Sequence, residues 1–338
     1  MFNRRFIKGV LSFLLFVLTF FYEFSVQGIS AENKHAGSFF PYSVTLKLIT
    51  EISLPGNPVD VVLKEGYAYI ICSTLAIANI SDPANISSVK YYNDLPDPPL
   101  SIAFNGSYAF IALANGTISI LDLRNIDSPK NDGNIDAFGT LVKVAVNNGY
   151  LYSVKKELGL QVYDVSTPNF PILKGTQVVS GEANGLFIKN NLAYVTSLSA
   201  NLSIIDISNL STLPVVGNYN FGINFYDIFV SDNYAYIPQG ATGVQVINIS
   251  KLPTPEHITN IFSRNFSKQV VVSGYYTWVN DQNTIQAFYN YDPTKQLFAG
   301  SFDNLGSNIN KIQILDNKYI FLCSDNNRLR VIQIIYNY

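Results

Sequence analysis

The chain has 338 residues, of which 48% are hydrophobic and only 14% charged, and its formal net charge is −2. Globular domains usually contain about 25% charged residues, and this apolar composition excludes a disordered, collagen-like or coiled-coil protein. A nearly neutral chain has no basic field for nucleic acid or anionic lipid. Two cysteines and two histidines are too few for a disulfide scaffold or a zinc finger, so we expect no metal and no cofactor.

The first 30 residues have the pattern of an export signal. Basic residues stand before a nearly unbroken apolar run from Val10 to Phe24, and small residues follow from Gly28. This run of 15 residues is shorter than the ~20 that cross a bilayer as a helix. We predict a signal peptide over residues 1–30, with an uncleaved membrane anchor as the alternative, and a flexible segment over residues 31–43. The mature protein is then secreted, periplasmic or at the cell surface.

The rest of the chain repeats one unit seven times. Each unit contains an aromatic or leucine residue, a second residue that is usually small or apolar, and another aromatic residue. The first members of these triplets lie 41 to 43 residues apart: Tyr67, Tyr108, Tyr150, Leu192, Tyr234, Tyr276 and Tyr319. A fixed period of this length indicates a repeat architecture.

The third unit shows the internal pattern most clearly. A short apolar run, Val142 to Val146, is followed by a polar turn and then by the aromatic strand at Tyr150. A third run with alternating apolar residues, Leu160 to Ser166, ends before a turn marked by Pro168, and a weaker fourth run follows. Four antiparallel strands in about 42 residues form one propeller blade. The predicted fold is therefore an all-β, single seven-bladed β-propeller over residues 44–338, expected to be a monomer.

The two ends of the repeat region predict how the ring closes. The seventh unit stops after its third strand, Leu329 to Ile335, whereas an extra strand, Val44 to Ile52, precedes the first unit. We expect this N-terminal strand to complete the last blade, which removes an open sheet edge.

These motifs resemble the LVIVD-repeat family. The best match runs from Gly159 to Ser166 and continues to Pro168, and the stretches 201–208 and 243–250 are similar to it. Asn79 and Asn248 depart from the pattern because they stand where it has aspartate, and the sixth unit departs at Ile285 to Tyr289. The resemblance implies a propeller that is exported or displayed on the cell surface, and it says little about activity.

A set of mostly polar residues recurs at the start of the first strand of each unit. We call it the channel ring, and it consists of Asp60, Ser101, Lys143, Gly185, Asp227, Gln269 and Lys311. First strands line the central channel of a propeller, so the ring is expected near the channel mouth. One interpretation is a solvated tunnel with polar walls, and the other is a site for an ion or a small polar ligand. The mixed charges do not favour a Ca²⁺ site, which needs several carboxylates.

Loops at the same end of the blades are the second candidate for binding. Lys155 and Lys156 lie between a second and a third strand, and Phe225 lies between a fourth and a first strand. Loops on rigid scaffolds often carry binding residues, and aromatic residues among polar ones are typical of binding hot spots. Ordinary turn chemistry is the alternative explanation. The opposite end carries proline-marked turns that vary less, so we predict a partner at the channel mouth.

Other residues that suggest chemistry are better explained by structure. Asp122 recurs as Asp164 and Asp206 at one position of the repeat, which favours a role in turn formation. His35 and His257 have no partner at a spacing suited to metal binding. Cys72 and Cys323 are expected in neighbouring blades, where two buried thiols are favoured over a disulfide.

Two functions from different classes remain. The favoured prediction is an exported, non-catalytic scaffold that binds a protein or glycan partner. The alternative is a hydrolase or lyase acting on glycans through Asp60 and Asp227. Propellers host both classes, so the fold does not decide between them.

Overall fold

Seven four-stranded antiparallel sheets make up the structure, one for each repeat of the sequence. The computed structural model describes residues 43–199, 201–220, 224–303 and 306–337. The predicted signal peptide over residues 1–30, the segment 31–42 and His35 lie outside these ranges. Within the ranges all regular structure is β-strand, and no helix long and apolar enough to cross a membrane is found.

The chain enters the ring through β1 (Ser43–Ser53) and then builds the blades in order. Blade 1 contains β2 (Asp60–Lys64), β3 (Tyr67–Ile71), β4 (Leu75–Asn79) and β5 (Val89–Tyr92). Blade 2 contains β6 (Pro99–Asn105), β7 (Tyr108–Leu113), β8 (Thr117–Asp122) and β9 (Lys130–Asp136). Blade 3 contains β10 (Leu141–Asn147), β11 (Tyr150–Lys155), β12 (Gly159–Asp164) and β13 (Ile172–Gln177). Blade 4 contains β14 (Ala183–Lys189), β15 (Leu192–Ser197), β16 (Asn201–Asp206) and β17 (Val215–Asn220).

The remaining blades follow the same order. Blade 5 contains β18 (Phe229–Ser231), β19 (Tyr234–Pro238), β20 (Val244–Asn248) and β21 (Glu256–Ile261). Blade 6 contains β22 (Ser267–Ser273), β23 (Tyr276–Asp281), β24 (Thr284–Tyr289) and β25 (Leu297–Phe302). Blade 7 contains β26 (Ile309–Leu315), β27 (Tyr319–Ser324) and β28 (Arg328–Asn337), and β1 is its fourth strand.

The predicted closure of the ring is confirmed. β1 pairs antiparallel with β28 over nearly its whole length, from Ser43 opposite Asn337 to Ser53 opposite Arg328, with one irregularity after Leu48. Both strands extend one or two residues beyond the predicted limits. The last blade therefore has four strands like the others, although it is made from both ends of the repeat region.

The hydrophobic core lies between the blades rather than at the centre of the ring. Consecutive residues of a strand point to opposite faces of the sheet. Leu151 of β11 therefore packs with Phe110 of blade 2, whereas the next residue, Tyr152, packs with Val195 of blade 4. Middle strands are apolar on both faces for this reason, and the channel wall is left to the first strands.

The recurring aspartates close turns, as predicted. The backbone N–H of Arg124 donates to Asp122 Oδ1 (2.9 Å), and that of Ser208 donates to Asp206 Oδ1 (2.8 Å). Asn248, where the repeat pattern has aspartate, accepts the same bond from the N–H of Ser250 (2.9 Å). Only the side-chain oxygen is needed for this bond, which explains why asparagine is tolerated.

The two cysteines are free and buried, as predicted. Cys72, just after β3, and Cys323 of β27 belong to one hydrophobic cluster between blade 1 and blade 7. Burial raises the pKa of the Cys323 thiol well above its usual value, so this group behaves as a small apolar side chain.

Candidate functional site at the channel mouth

The antiparallel order of the strands defines two faces of the ring. First strands begin and second strands end at the same end of each blade. This end therefore carries the loops between second and third strands and those between fourth and first strands, and we call it the mouth face. The turns between first and second strands and between third and fourth strands form the opposite face.

The structure brings the channel ring together as the sequence predicted. Six of its side chains line two cavities of the central channel, one of about 190 Å³ and one of about 290 Å³. The first cavity, which we call the mouth chamber, is bounded by residues that precede the ring in sequence, such as Val59 and Lys268. The second lies deeper, against residues such as Val146 and Phe229. The ring therefore separates the two cavities.

Three ring side chains hold neighbouring blades together. The channel-facing edge of a first strand has no neighbouring strand, so its backbone groups need other partners. In each case the ring side chain of one blade accepts a hydrogen bond from a backbone N–H of the following blade. The donor is the residue directly after the ring position of that blade. The bonds run from Ile102 N to Asp60 Oδ2 (3.3 Å), from Val144 N to Ser101 Oγ (3.4 Å) and from Ile312 N to Gln269 Oε1 (2.7 Å). Polar residues at these positions thus have a structural role.

The four charged ring residues form two ion pairs. Lys143 Nζ lies 2.7 Å from Asp227 Oδ1, and Lys311 Nζ lies 3.6 Å from Asp60 Oδ1. Burial alone would raise the pKa of Asp227, but attraction from Lys143 and Lys311 outweighs it and lowers this pKa. Likewise, burial acts to lower the pKa of Lys311, but the carboxylates of Asp60 and Asp227 raise it. Asp227 and Lys311 are therefore held in their charged forms, and the formal charges of the two ion pairs cancel.

Gly185 is the ring position that has no side chain. Asp227 lies two blades beyond Lys143, and Gly185 occupies the ring position between them. A Cβ at Gly185 would lie 2.2 Å from Thr196 Oγ1 and 3.2 Å from the Cα of Asp227. A side chain therefore has no room here without displacing these atoms.

A second circle of residues, which the sequence analysis did not recognise as a set, surrounds the mouth chamber. We call it the rim, and it consists of the residues just before the ring positions: Val59, Leu100, Val142, Asn184, Tyr226, Lys268 and Asn310. The rim is apolar on blades 1 to 3 and polar on blades 4 to 7. The same period of 41 or 42 residues relates its members, so reading one position further back along the repeat would have found it.

Two of the loop residues predicted to bind a partner are buried. Lys155 is the last residue of β11 and is 0% exposed, where its ammonium donates to Gln161 Oε1. Phe225 is also 0% exposed and packs with Ile228 and Val230 in a core cluster. The prediction that Lys155 and Phe225 are accessible loop residues is therefore wrong, because both face the space between blades. Lys156 is partly exposed on the mouth face, as expected.

The burial of Lys155 belongs to a wider pattern that the sequence analysis also missed. Equivalent positions at the mouth-side ends of second strands carry further buried polar residues: Ser197, Gln239, Asp281 and Ser324. Burial lowers the pKa of Lys155 to about 8 and raises that of Asp281. These groups are enclosed between blades and do not line the mouth chamber.

Exposed aromatic side chains occur on both faces of the ring. Phe138 and Phe262 follow fourth strands on the mouth face and are 76% and 77% exposed. Phe170, in a turn between third and fourth strands on the opposite face, is 71% exposed. Exposed aromatic surface by itself therefore does not distinguish the two faces, whereas the mouth chamber does.

Comparison with known proteins gives a fold and a family. The crystal structure of the computationally designed Ika8 protein is similar to this chain, with a TM-score of 0.63, 11% sequence identity, and coverage of 85% of this chain and 99% of that one. At this identity the likeness concerns the fold alone. No curated protein matches the sequence.

The LVIVD repeat model matches residues 55–94, 100–136, 139–178, 180–221 and 225–260. These matches correspond to blades 1 to 5. Blade 6, whose third strand departs from the pattern at Ile285 to Tyr289, and blade 7, which is assembled from both chain ends, lie outside them. Because the matched repeats cover more than half of the chain, the protein belongs to the LVIVD repeat family.

Proposed function

We propose that this protein is an exported, non-catalytic scaffold that binds a protein or glycan partner through its mouth face, at the cell surface or in the envelope. The observation that carries the proposal is the mouth chamber, a concave site whose rim is apolar on one side and polar on the other. Binding sites are typically concave and combine apolar walls with a few polar groups. The apolar run from Val10 to Phe24, which precedes the matched repeats, is the basis for proposing export.

The state of the two ring carboxylates favours binding over catalysis. Asp60 accepts backbone N–H bonds from Val61 (3.0 Å) and Ile102 (3.3 Å) and also pairs with Lys311. Asp227 is paired with Lys143 and its pKa is lowered. A general acid in a glycosidase needs a carboxyl whose pKa is raised. Two carboxylates that are both engaged in ion pairs, one of them with a lowered pKa, are poorly suited to that role.

The test compares the two faces with matched variants. Purified protein is offered to a glycan array and to an envelope extract of the producing cell. Phe138→Ala and Lys156→Glu, on the mouth face, are expected to weaken capture of the partner. Phe170→Ala and Lys251→Glu, on the opposite face, are expected to leave it unchanged, although Phe170 is nearly as exposed as Phe138.

Two outcomes would contradict the proposal. Loss of capture with the opposite-face variants alone would show that the partner binds the opposite face and not the mouth face. The second outcome is that the wild-type protein turns over a glycan and that Asp60→Asn or Asp227→Asn abolishes this turnover while thermal unfolding shows an intact fold. That result would support the alternative, a hydrolase or lyase acting on glycans.

A further inference from the structure

We propose that the mouth chamber binds one acidic sugar unit, such as a uronic acid, whose carboxylate lies at Lys268 and whose apolar ring face lies against the aliphatic half of the rim. This inference deepens the proposed function, because it names the chemical class that the same site takes. It rests on the size, charge and unused hydrogen-bonding groups of the chamber.

The size of the chamber fits one six-membered ring. Its volume is about 190 Å³, and a protein cavity of about 150 Å³ accommodates benzene. A larger unit would have to extend out of the mouth. The site therefore suits the terminal residue of a chain that projects into solvent, or a free monosaccharide.

The net charge of the chamber lining favours binding of a ligand with one negative charge. The lining contains two aspartates and two lysines of the channel ring, which pair with each other, and the additional cation Lys268. The lining therefore has a net charge of about +1. Lys268 is exposed and forms no ion pair within the described part of the chain. One carboxylate beside Lys268 would balance this charge.

The hydrogen-bonding groups favour a polyhydroxylated ligand over a simple carboxylate. Asn310 donates to Pro58 O (2.9 Å) through its amide nitrogen, but its Oδ1 has no partner among the described residues. The hydroxyl of Tyr226 also has none there, and the hydroxyl hydrogen of Ser101 is not used in the bond with Val144 N. These three groups and Lys268 surround one chamber. Several hydroxyl groups on one ligand can satisfy them together.

The opposite half of the rim is aliphatic. Val59, which is 40% exposed, Leu100 and Val142 stand on three consecutive blades and carry no polar side-chain atom. A sugar ring has one face of C–H groups and a periphery of hydroxyls, so it matches a site that is apolar on one side and polar on the other. A divalent phosphate or a fully polar ion would leave this half without a partner.

The experiment measures binding of D-glucuronate, its methyl ester, D-glucose and benzoate to the purified protein by calorimetry or by ligand-observed NMR. Glucuronate is expected to bind, and the ester and glucose are expected to bind at least about tenfold more weakly because they lack the charge. Benzoate, which has the charge and a ring but no hydroxyls, is also expected to bind more weakly.

Variants localise the effect. Lys268→Gln should weaken glucuronate binding by about tenfold, whereas Lys47→Gln, an exposed lysine on the outer strand of blade 7, should not. Any of four results would overturn the acidic-sugar assignment: glucose binds as tightly as glucuronate, benzoate binds more tightly than glucuronate, Lys268→Gln does not change glucuronate binding, or glucuronate does not bind. The proposed function is tested separately by partner capture with the Phe138 and Phe170 variants, so the two can fail independently.

Discussion

At the scale of the residue, burial of the charged Lys155 side chain lowers the stability of the fold by an amount that can be measured. Its ammonium is completely buried and contacts the neutral side chain of Gln161 rather than a carboxylate, while the hydroxyl of Tyr163 donates to the same Oε1 (2.7 Å). Removing a charge from water is unfavourable, and the attraction of the more distant Glu157 carboxylate offsets only part of this effect. This burial lowers the pKa of Lys155 from 10.5 to about 8.

We therefore expect Lys155→Met to stabilise the protein at pH 7 by about 2 kcal/mol, since an apolar side chain of similar length avoids this cost. Below about pH 8 the lysine is charged in both the folded and the unfolded protein, so the folded protein bears the full cost. As the pH rises from about 8 to 10.5 the cost disappears, and the wild-type protein should approach the variant in stability. Chemical denaturation at several pH values measures this difference, with Lys156→Met as the control. A difference that did not change with pH would contradict the prediction.

Asp227 is the residue on which the charge balance of the ring depends. It pairs with Lys143, and it also contributes to the raised pKa of Lys311. The Asp227 and Lys143 side chains are only 16% and 23% exposed, so solvent screens this pair less than a surface pair.

Replacement of Asp227 by Asn should lower the free energy of unfolding by about 2 kcal/mol, between the values for exposed and fully buried pairs. The double variant Asp227→Asn with Lys143→Met should recover part of this loss, because it removes the lysine that has lost its partner. Urea denaturation of the four proteins of this cycle gives the coupling between the two residues. If the two single effects simply added, the ion pair would not contribute to stability.

At the scale of the structural element, blades 1 to 6 each contain a turn that leads from the third to the fourth strand. The Asp206 carboxylate accepts the N–H of Ser208 at the end of β16, and Asn248 accepts the equivalent bond at the end of β20. The pKa of Asp206 is lowered by hydrogen bonds from the hydroxyl and N–H of Ser208.

Asp206→Ala should therefore destabilise the protein by about 1 kcal/mol, the usual contribution of one such bond. Asp206→Asn should have little effect, because asparagine keeps the accepting oxygen and occurs naturally at the equivalent position of blade 5. Thermal unfolding of the two variants makes the comparison. Equal destabilisation by both would mean that the negative charge, and not the hydrogen bond, matters at this turn.

The repeat made most of the fold predictable. A triplet such as Tyr150 to Tyr152 fixes the second strand of each unit, and a count of the strands at both chain ends predicts that β1 pairs with β28. The channel ring was also predictable, because the same period that finds Tyr150 finds Lys143. Equivalent positions in a repeat have equivalent environments, so one correct assignment extends to all seven units.

The period does not show where a strand ends or which side chains enter the space between blades. Charged or turn-rich sequence surrounds Lys155 and Phe225 and predicts that both are accessible. Lys155 instead ends β11, and Phe225 lies in a loop, but both are fully buried. Strand limits depend on packing against the neighbouring blade, which no single repeat contains. The rim was missed for a different reason. Only the polar ring position of each repeat was compared between units, although the preceding position follows the same period and changes from apolar to polar after blade 3.

At the scale of the whole molecule, closure of the ring is what creates the site. Hydrogen bonds such as that from Ile312 N to Gln269 Oε1 link adjacent blades around the channel, and Asn310 of blade 7 bonds to Pro58 O before blade 1. The pair of Lys311 with Asp60 also joins the last blade to the first. The mouth chamber is lined by all seven blades, so its geometry requires that blade 7 be complete.

A circular permutant tests whether closure depends on pairing rather than on where the chain begins. Ser43 and Asn337 are opposite each other in the β1–β28 pair, so a short turn can join them into a hairpin like those of the other blades. New ends placed between β12 and β13, near Phe170 on the opposite face, leave the mouth chamber intact. We expect this permutant to unfold cooperatively, with a midpoint within a few degrees of the wild-type value, since every strand keeps its partners.

A chain that begins at Leu54, and so lacks β1, should instead aggregate, because β28 becomes an open edge. A chain that begins at Ser43 is the control. Aggregation of the permutant with normal folding of the chain that lacks β1 would show that the pairing of β1 with β28 does not hold the ring closed.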